Sequence, residues 1–172
     1  MFSKLNGRLI IVHLAAYWLF YYAFQTFAFL YDRGFFNPRY TAVFQAQFPE
    51  RYKLDVTIIQ QAGNIGLLVV YVISWFIASK RGWHWINDVL VFIIAFALGN
   101  LEWFGWDHLS PVFLAIGNSF TNSIARFVSN GAIMVALGCL LLFSKSILRF
   151  IDRGQSDYKA KLATDKIARR VK

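Results

Sequence analysis

Charged and amide side chains are scarce in the apolar runs of this chain, so those that interrupt the runs are the first candidates for chemistry. Gln60, Gln61 and Asn64 stand together in one run. Asn100 and Glu102 close the next, and Arg126 and Asn130 open a third. Inside a hydrocarbon layer such groups are costly, and they face a bundle interior, where they line hydrated paths, hold ligands or tie helices together. Gln60 and Asn64 are four residues apart, so they share a helix face, with Gln61 beside them. Glu102 and Arg126 carry opposite charges and are expected to pair. These seven residues are the candidates for lining a pore or a polar ligand site.

Other routes to chemistry are poorly served. There is no Gly-Lys-Ser/Thr phosphate loop, no Gly-x-Ser-x-Gly elbow and no His-Glu-x-x-His zinc motif. The three histidines, His13, His84 and His108, are widely spaced, and the third falls on the opposite side of the layer from the other two, so no metal site is expected. A single cysteine, Cys139, provides neither a disulfide framework nor a thiolate cluster. No cofactor is implied. The stretch Gly99-Asn100-Leu101-Glu102-Trp103 resembles the acidic, Trp-rich spans of particulate copper monooxygenase subunits. The histidine ligands of that family are missing here, and its activity does not carry over.

The elements that must position these residues are membrane helices. Of the 172 residues 58% are apolar and 19% aromatic, while only 16% are charged, and this excludes a disordered chain and an ordinary soluble enzyme. A spanning helix needs about 20 mostly apolar residues. Four segments meet this: 9–30, 56–78, 86–106 and 127–148. The expected fold class is therefore all-α, a polytopic four-transmembrane-helix bundle over residues 1–148, followed by a tail at 149–172.

Charge orients the bundle. With the N-terminus inside, 13 of the 18 basic residues fall on the inner side, and the whole net charge of +9 with them. Asp88, at the start of the third span, is counted there too. This is the positive-inside pattern of an even number of spans, and it places both termini in the cytoplasm, in a membrane of the bacterial inner-membrane type. The basic balance is thus a topology signal, and no nucleic-acid partner is expected.

Three connecting segments add detail. Tyr40, Phe44, Phe48 and Tyr52 recur every four residues. They predict an aromatic helix over 38–47 on the outer surface and a second helix that begins near Pro49 and leads straight into the second span. The segment 111–123 opens with a Ser110-Pro111 helix start but is polar at 117–123, which predicts a surface helix or a re-entrant turn. In the tail, Lys159, Lys161, Lys166, Arg169 and Arg170 surround an apolar face and could contact anionic lipid or a partner.

Small-residue seams at Ala62/Gly66, Ala95/Gly99 and Ala132/Ala136 would let helices or protomers approach closely. The first expectation is a non-enzymatic integral membrane subunit that assembles as a homo-oligomer or within a larger membrane complex, with a pore as one form of that assembly. The alternatives are a small carrier or lipid-binding protein, and an integral membrane enzyme or accessory subunit with an outer site at Glu102, Asp107 and His108. The topology is directly testable. A reporter fused after Lys172 should read cytoplasmic and one inserted near Phe36 external; both on one side would overturn the four-span arrangement.

Overall fold

The computed structural model describes residues 5–30, 43, 45–101 and 119–154. Within them the regular structure is entirely helical. Helix α1 covers Gly7–Ala28, α2 Pro49–Arg81, α3 Ile86–Asn100 and α4 Ser123–Phe143. A short helix, α5, follows over 145–154. Helices α1, α2 and α4 are long and apolar enough to cross a membrane, and α3 is a shorter apolar helix.

Local chemistry sets the ends. The Asn6 side chain caps α1 by accepting from the Leu9 amide. Pro49 occupies the first turn of α2, where its missing N–H costs nothing, and Glu50 complements the helix dipole there. The helix stops at Gly82, whose φ of 65° is left-handed and favours glycine. Asn122 caps α4 by accepting from the Ile124 amide at 2.8 Å. At 33 residues, α2 is about 50 Å long and overshoots a hydrocarbon core of about 30 Å, so the expected run from Pro49 into the second span is present as one helix.

Two boundaries differ from expectation. The fourth span was expected to continue to Leu148, but α4 ends at Ser144, whose ψ of 123° is extended. The chain then restarts as α5, which turns Leu148 and Ile151 back into the core. Burying these two side chains and bonding the Ile151 carbonyl to Asn6 favour the turn over a longer straight helix. At the other end, residues 119–122 are non-helical and Asn122 caps α4, so no continuous helix runs into α4 from 111. The rest of the 111–123 element, the third span beyond Leu101, most of the 38–47 helix and the tail beyond Gly154 lie outside the described residues.

The helices run up and down. The start of α1, the α2–α3 turn and α5 all meet at one end, joined by Asn6 to Asn87, Asn6 to Ile151 and Trp83 to Asp152. Helix α1 is the centre of the bundle. It packs on α2, α3 and α4, and α3 packs also on α2, whereas contact between α2 and α4 is at most sparse among the described residues.

The contact that makes α1 central is aromatic into glycine. The Tyr21 ring lies against Gly63 of α2 and Gly99 of α3, the Phe20 ring against Gly138 of α4 and the Phe27 ring against Gly131 of α4, while Gly66 of α2 meets the Phe20 backbone. A methyl group on Gly66 would stand 2.6 Å from the Phe20 carbonyl oxygen, which is backbone and cannot swing away. Gly66→Ala should therefore cost about 1–3 kcal/mol, the usual range for overpacking. A methyl on Gly7 would meet nothing within 4 Å, so Gly7→Ala should be neutral or slightly stabilising. Thermal unfolding of the two variants side by side tests the assignment.

Candidate functional site: an amide cluster and a buried histidine–aspartate pair

Four of the seven predicted residues come together. Gln60 Nε2 donates to Asn100 Oδ1 at 3.3 Å, Asn100 Nδ2 to Asn64 Oδ1 at 3.4 Å, and Asn64 Nδ2 to Gln61 Oε1 at 3.4 Å. Asn100 Nδ2 also donates to the Phe96 carbonyl at 2.8 Å. The cluster is uncharged, bonded to itself, and joins α2 to the C-terminal end of α3. Long distances make each bond weak, and amide ties in membranes are worth roughly 0.6 kcal/mol each.

The other three do not join it. Asn130 is almost fully buried on α4, with its Oδ1 unbonded, and Arg126 donates from its guanidinium to the Phe120 carbonyl at 3.4 Å. Helix α4 packs on α1, which separates these two residues from the amides of α2 and α3. Glu102, expected to pair with Arg126, lies outside the described residues. So do Asp107, His108, Lys159, Lys161, Lys166, Arg169 and Arg170.

The most buried ionisable groups are at the opposite end of the bundle. His13 of α1 and Asp88 of α3 form a pair, Nδ1 to Oδ1 at 3.1 Å, and both side chains are 0% exposed. His13 Nε2 and Asp88 Oδ2 are buried without a hydrogen-bond partner among the described residues. The Trp83 ring tilts against the imidazole with 5.9 Å between centroids. Asp88 is in the first turn of α3, where the helix dipole favours a carboxylate. Its sequence position, two residues into the third expected span, counts it with the inner-side charges. The structure places it inside the bundle instead, because α1 packs across the start of α3 and covers it.

A set of polar ties surrounds the pair. Asn87 Oδ1 accepts from the Asn6 amide at 2.8 Å, and its Nδ2 donates to the His84 carbonyl at 2.8 Å. Asn6 Nδ2 donates to the Ile151 carbonyl at 3.0 Å, so one asparagine caps α1 and holds α3 and α5 to it. Asp152 of α5 accepts from Trp83 Nε1 at 2.9 Å and from Arg81 at 2.6 Å. The Arg81–Asp152 pair is more than a third exposed and contributes about 1 kcal/mol or less. His84 does not approach His13: its Nδ1 accepts from the Ile86 amide and its ring stacks on Trp85.

Between the two ends, α1 presents His13, Tyr17 and Tyr21, four residues apart, to α2 and α3. Tyr17 Oη is 2.7 Å from Ser74 Oγ, and Ser74 donates to the Tyr71 carbonyl, so the tyrosine is the donor. Tyr21 donates to the Gly99 carbonyl at 3.0 Å. No group of three or more His, Cys, Asp or Glu side chains could hold a metal ion among the described residues.

The two sites differ in what their loss should do. Removing one partner of a buried ionic pair leaves an uncompensated group and costs about 3–5 kcal/mol. Asp88→Ala should therefore lower the unfolding temperature strongly, whereas Gln60→Leu should shift stability by about 1 kcal/mol or less. Equal effects in a thermal-shift comparison would overturn this ranking. The chain matches no family model, no curated protein and no solved structure.

Proposed function

We propose that this chain is a non-enzymatic integral membrane subunit that assembles with further copies of itself or within a larger membrane complex. The observation that carries this reading is an open apolar cleft. Because α2 and α4 both pack on α1 and at most sparsely on each other, a groove of about 600 Å³ remains between them. Phe20, Phe24 and Phe27 form its floor, Val69 and Ile73 one wall, and Ala132, Val135, Ala136 and Cys139 the other. Ala132 and Ala136 are exposed and one turn apart, a surface on which another helix can approach closely. The amides of α2 and α3, by contrast, bond to one another, and this favours ties within the protomer over a path through it. A pore in this reading lies between protomers.

The meeting of the α1 start, the α2–α3 turn and α5 at one end supports both termini lying on one side of the membrane. The one-sided basic excess makes that side the cytoplasm, as in a bacterial inner membrane.

A second reading has its own observation. At the α5 end, a groove of about 740 Å³ is lined by Phe76, Ile77, Phe143 and Leu148 together with Lys80, Arg81 and Asp152, the last two paired with each other. Apolar walls ending in Lys80 and in the Arg81–Asp152 pair leave one net positive charge, which suits an acidic phospholipid, as in a small lipid-binding protein.

Native mass measurement in lipid nanodiscs separates the two. The assembly reading expects a multiple of the 19.9 kDa chain, or a complex with other proteins. It also expects Ala136→Phe, which fills the cleft, to convert the assembly to single chains without loss of helix content. A single wild-type chain with no partner overturns assembly. Phospholipid retained by that single chain, and lost with Lys80→Gln and Arg81→Gln together, establishes the second reading.

A further inference from the structure

The cleft and the α5-end groove are successive stretches of one furrow. Along α2, Val69 and Ile73 line the cleft, and Phe76, Ile77 and Lys80 line the groove. These positions fall three or four residues apart, so they share one face of the helix. Along α4, Ala136 and Cys139 line the cleft and Phe143 the groove, again at that spacing. The furrow therefore runs without a change of face from the phenylalanine floor to the end of the bundle where α5 begins. By the helix rise, the stretch from Val69 to Lys80 is about 16 Å, and one leaflet of a hydrocarbon core is about 15 Å deep.

The two ends of the furrow differ in chemistry. The cleft is lined almost wholly by apolar atoms. At the α5 end the Lys80 ammonium lies 4.3 Å from the centre of the Phe76 ring, so its side chain folds back along α2 and holds its charge over a groove-lining residue. Arg81 and Asp152 neutralise each other there. Lys80 has no carboxylate partner among the described residues, and neither do Lys145 and Arg149, exposed on α5 near Leu148. Trp85, Phe143 and Phe150 are exposed at the same end, as aromatic side chains are where a membrane meets water. A cation at the interfacial end and an apolar length of one leaflet are what a phospholipid requires and a packing helix does not.

We propose that the furrow between α2 and α4 binds one anionic phospholipid from the leaflet at the α5 end. One acyl chain lies along the furrow over Phe20 and Phe24, the phosphate meets Lys80, and the second acyl chain stays in the bilayer. Charge sets the selectivity. With Arg81 and Asp152 cancelling, the groove carries one net positive charge, which an anionic headgroup neutralises and a zwitterionic headgroup, bringing its own cation, does not. The inference rests on the lipid-binding reading of the α5-end groove and extends that site along the cleft. Within the assembly reading, a second chain that packs into the cleft displaces this acyl chain.

The test is native mass spectrometry of the full-length chain, delipidated in detergent and then given phosphatidylglycerol or phosphatidylcholine with the same acyl chains, with bound lipid counted per chain. The wild type should carry one phosphatidylglycerol, retained at least about fivefold over phosphatidylcholine, the effect of one lysine at a membrane surface. Lys80→Gln should remove that preference, while Lys53→Gln, which deletes the same charge near the other end of α2, should keep it. Ala136→Phe, which fills the cleft, should lower retention of both lipids by about fivefold with helix content unchanged. If that variant fails to fold, Val69→Phe fills the cleft from the other wall. Equal retention of the two lipids by the wild type overturns the proposal, and so does a preference that survives Lys80→Gln or falls as far in Lys53→Gln. Phosphatidylglycerol held equally by the wild type and the cleft-filling variant overturns the chain along the cleft and leaves the lipid-binding reading standing, whereas a wild type that holds neither lipid overturns both.

Discussion

The structure depends on how closely three helices approach α1. Their axes can come near only where a glycine removes the side chain that would meet an aromatic ring of α1. Gly63, Gly99, Gly131 and Gly138 provide those places for the Tyr21, Phe27 and Phe20 rings, and Gly66 lets the backbone of α1 itself come close at the Phe20 carbonyl. The arrangement makes α1 the most enclosed element: 61% of its apolar window is buried, against 39% for α2 and 33% for α4. In a bilayer, lipid is as apolar as leucine, so this shape fit replaces the hydrophobic drive that holds a soluble bundle. The remaining apolar faces, such as Ile65, Leu68, Val72 and Trp75 on α2, stay exposed as lipid-compatible surface.

Because one helix organises the other three, the polar groups are sorted by seam. The seam of α1 with α2 and α3 holds His13–Asp88, Tyr17–Ser74 and Tyr21 with the Gly99 carbonyl, and the amide cluster lies at its far end. The cleft between α2 and α4 is almost free of polar atoms and is floored by phenylalanines. The polar contacts and the open apolar surface therefore fall on different sides of the same central helix. Neither interferes with the packing of the other.

The end of the bundle that gathers Asn6, Asn87, Trp83 and Asp152 works as a clamp. Asn6 alone engages three elements, with its side chain capping α1 and bonding α5 while its amide bonds α3. Helix α5 closes this end through Leu148 and Ile151. The carboxylate of Asp88, covered by α1 just above the clamp, is shielded from water by the elements that the clamp holds in place.

Much of this was legible in the chain itself. Long apolar runs demand helices in a membrane, since every backbone group must be bonded within its own segment. Pro49, Gly82 and the Asn6 and Asn122 caps have local effects, and the one-sided distribution of Lys and Arg is a property of the sequence. The amide cluster was legible because Gln60 and Asn64 share a helix face whatever that helix packs against. Tertiary structure alone decided which small residues became contacts. Ala132 and Ala136 look like a seam by spacing but line the open cleft, while Gly63, Gly131 and Gly138 receive the rings. It also decided that the fourth span breaks at Ser144, since the turn draws on contacts with Asn6, 145 residues away from Ile151 in sequence. Above all it decided the role of Asp88. A carboxylate after a turn is indistinguishable from a surface charge until a histidine 75 residues earlier is brought against it. Spacing along one helix can be read from sequence because the helix repeat is fixed, whereas the meeting of two helices depends on the packing of every residue between them.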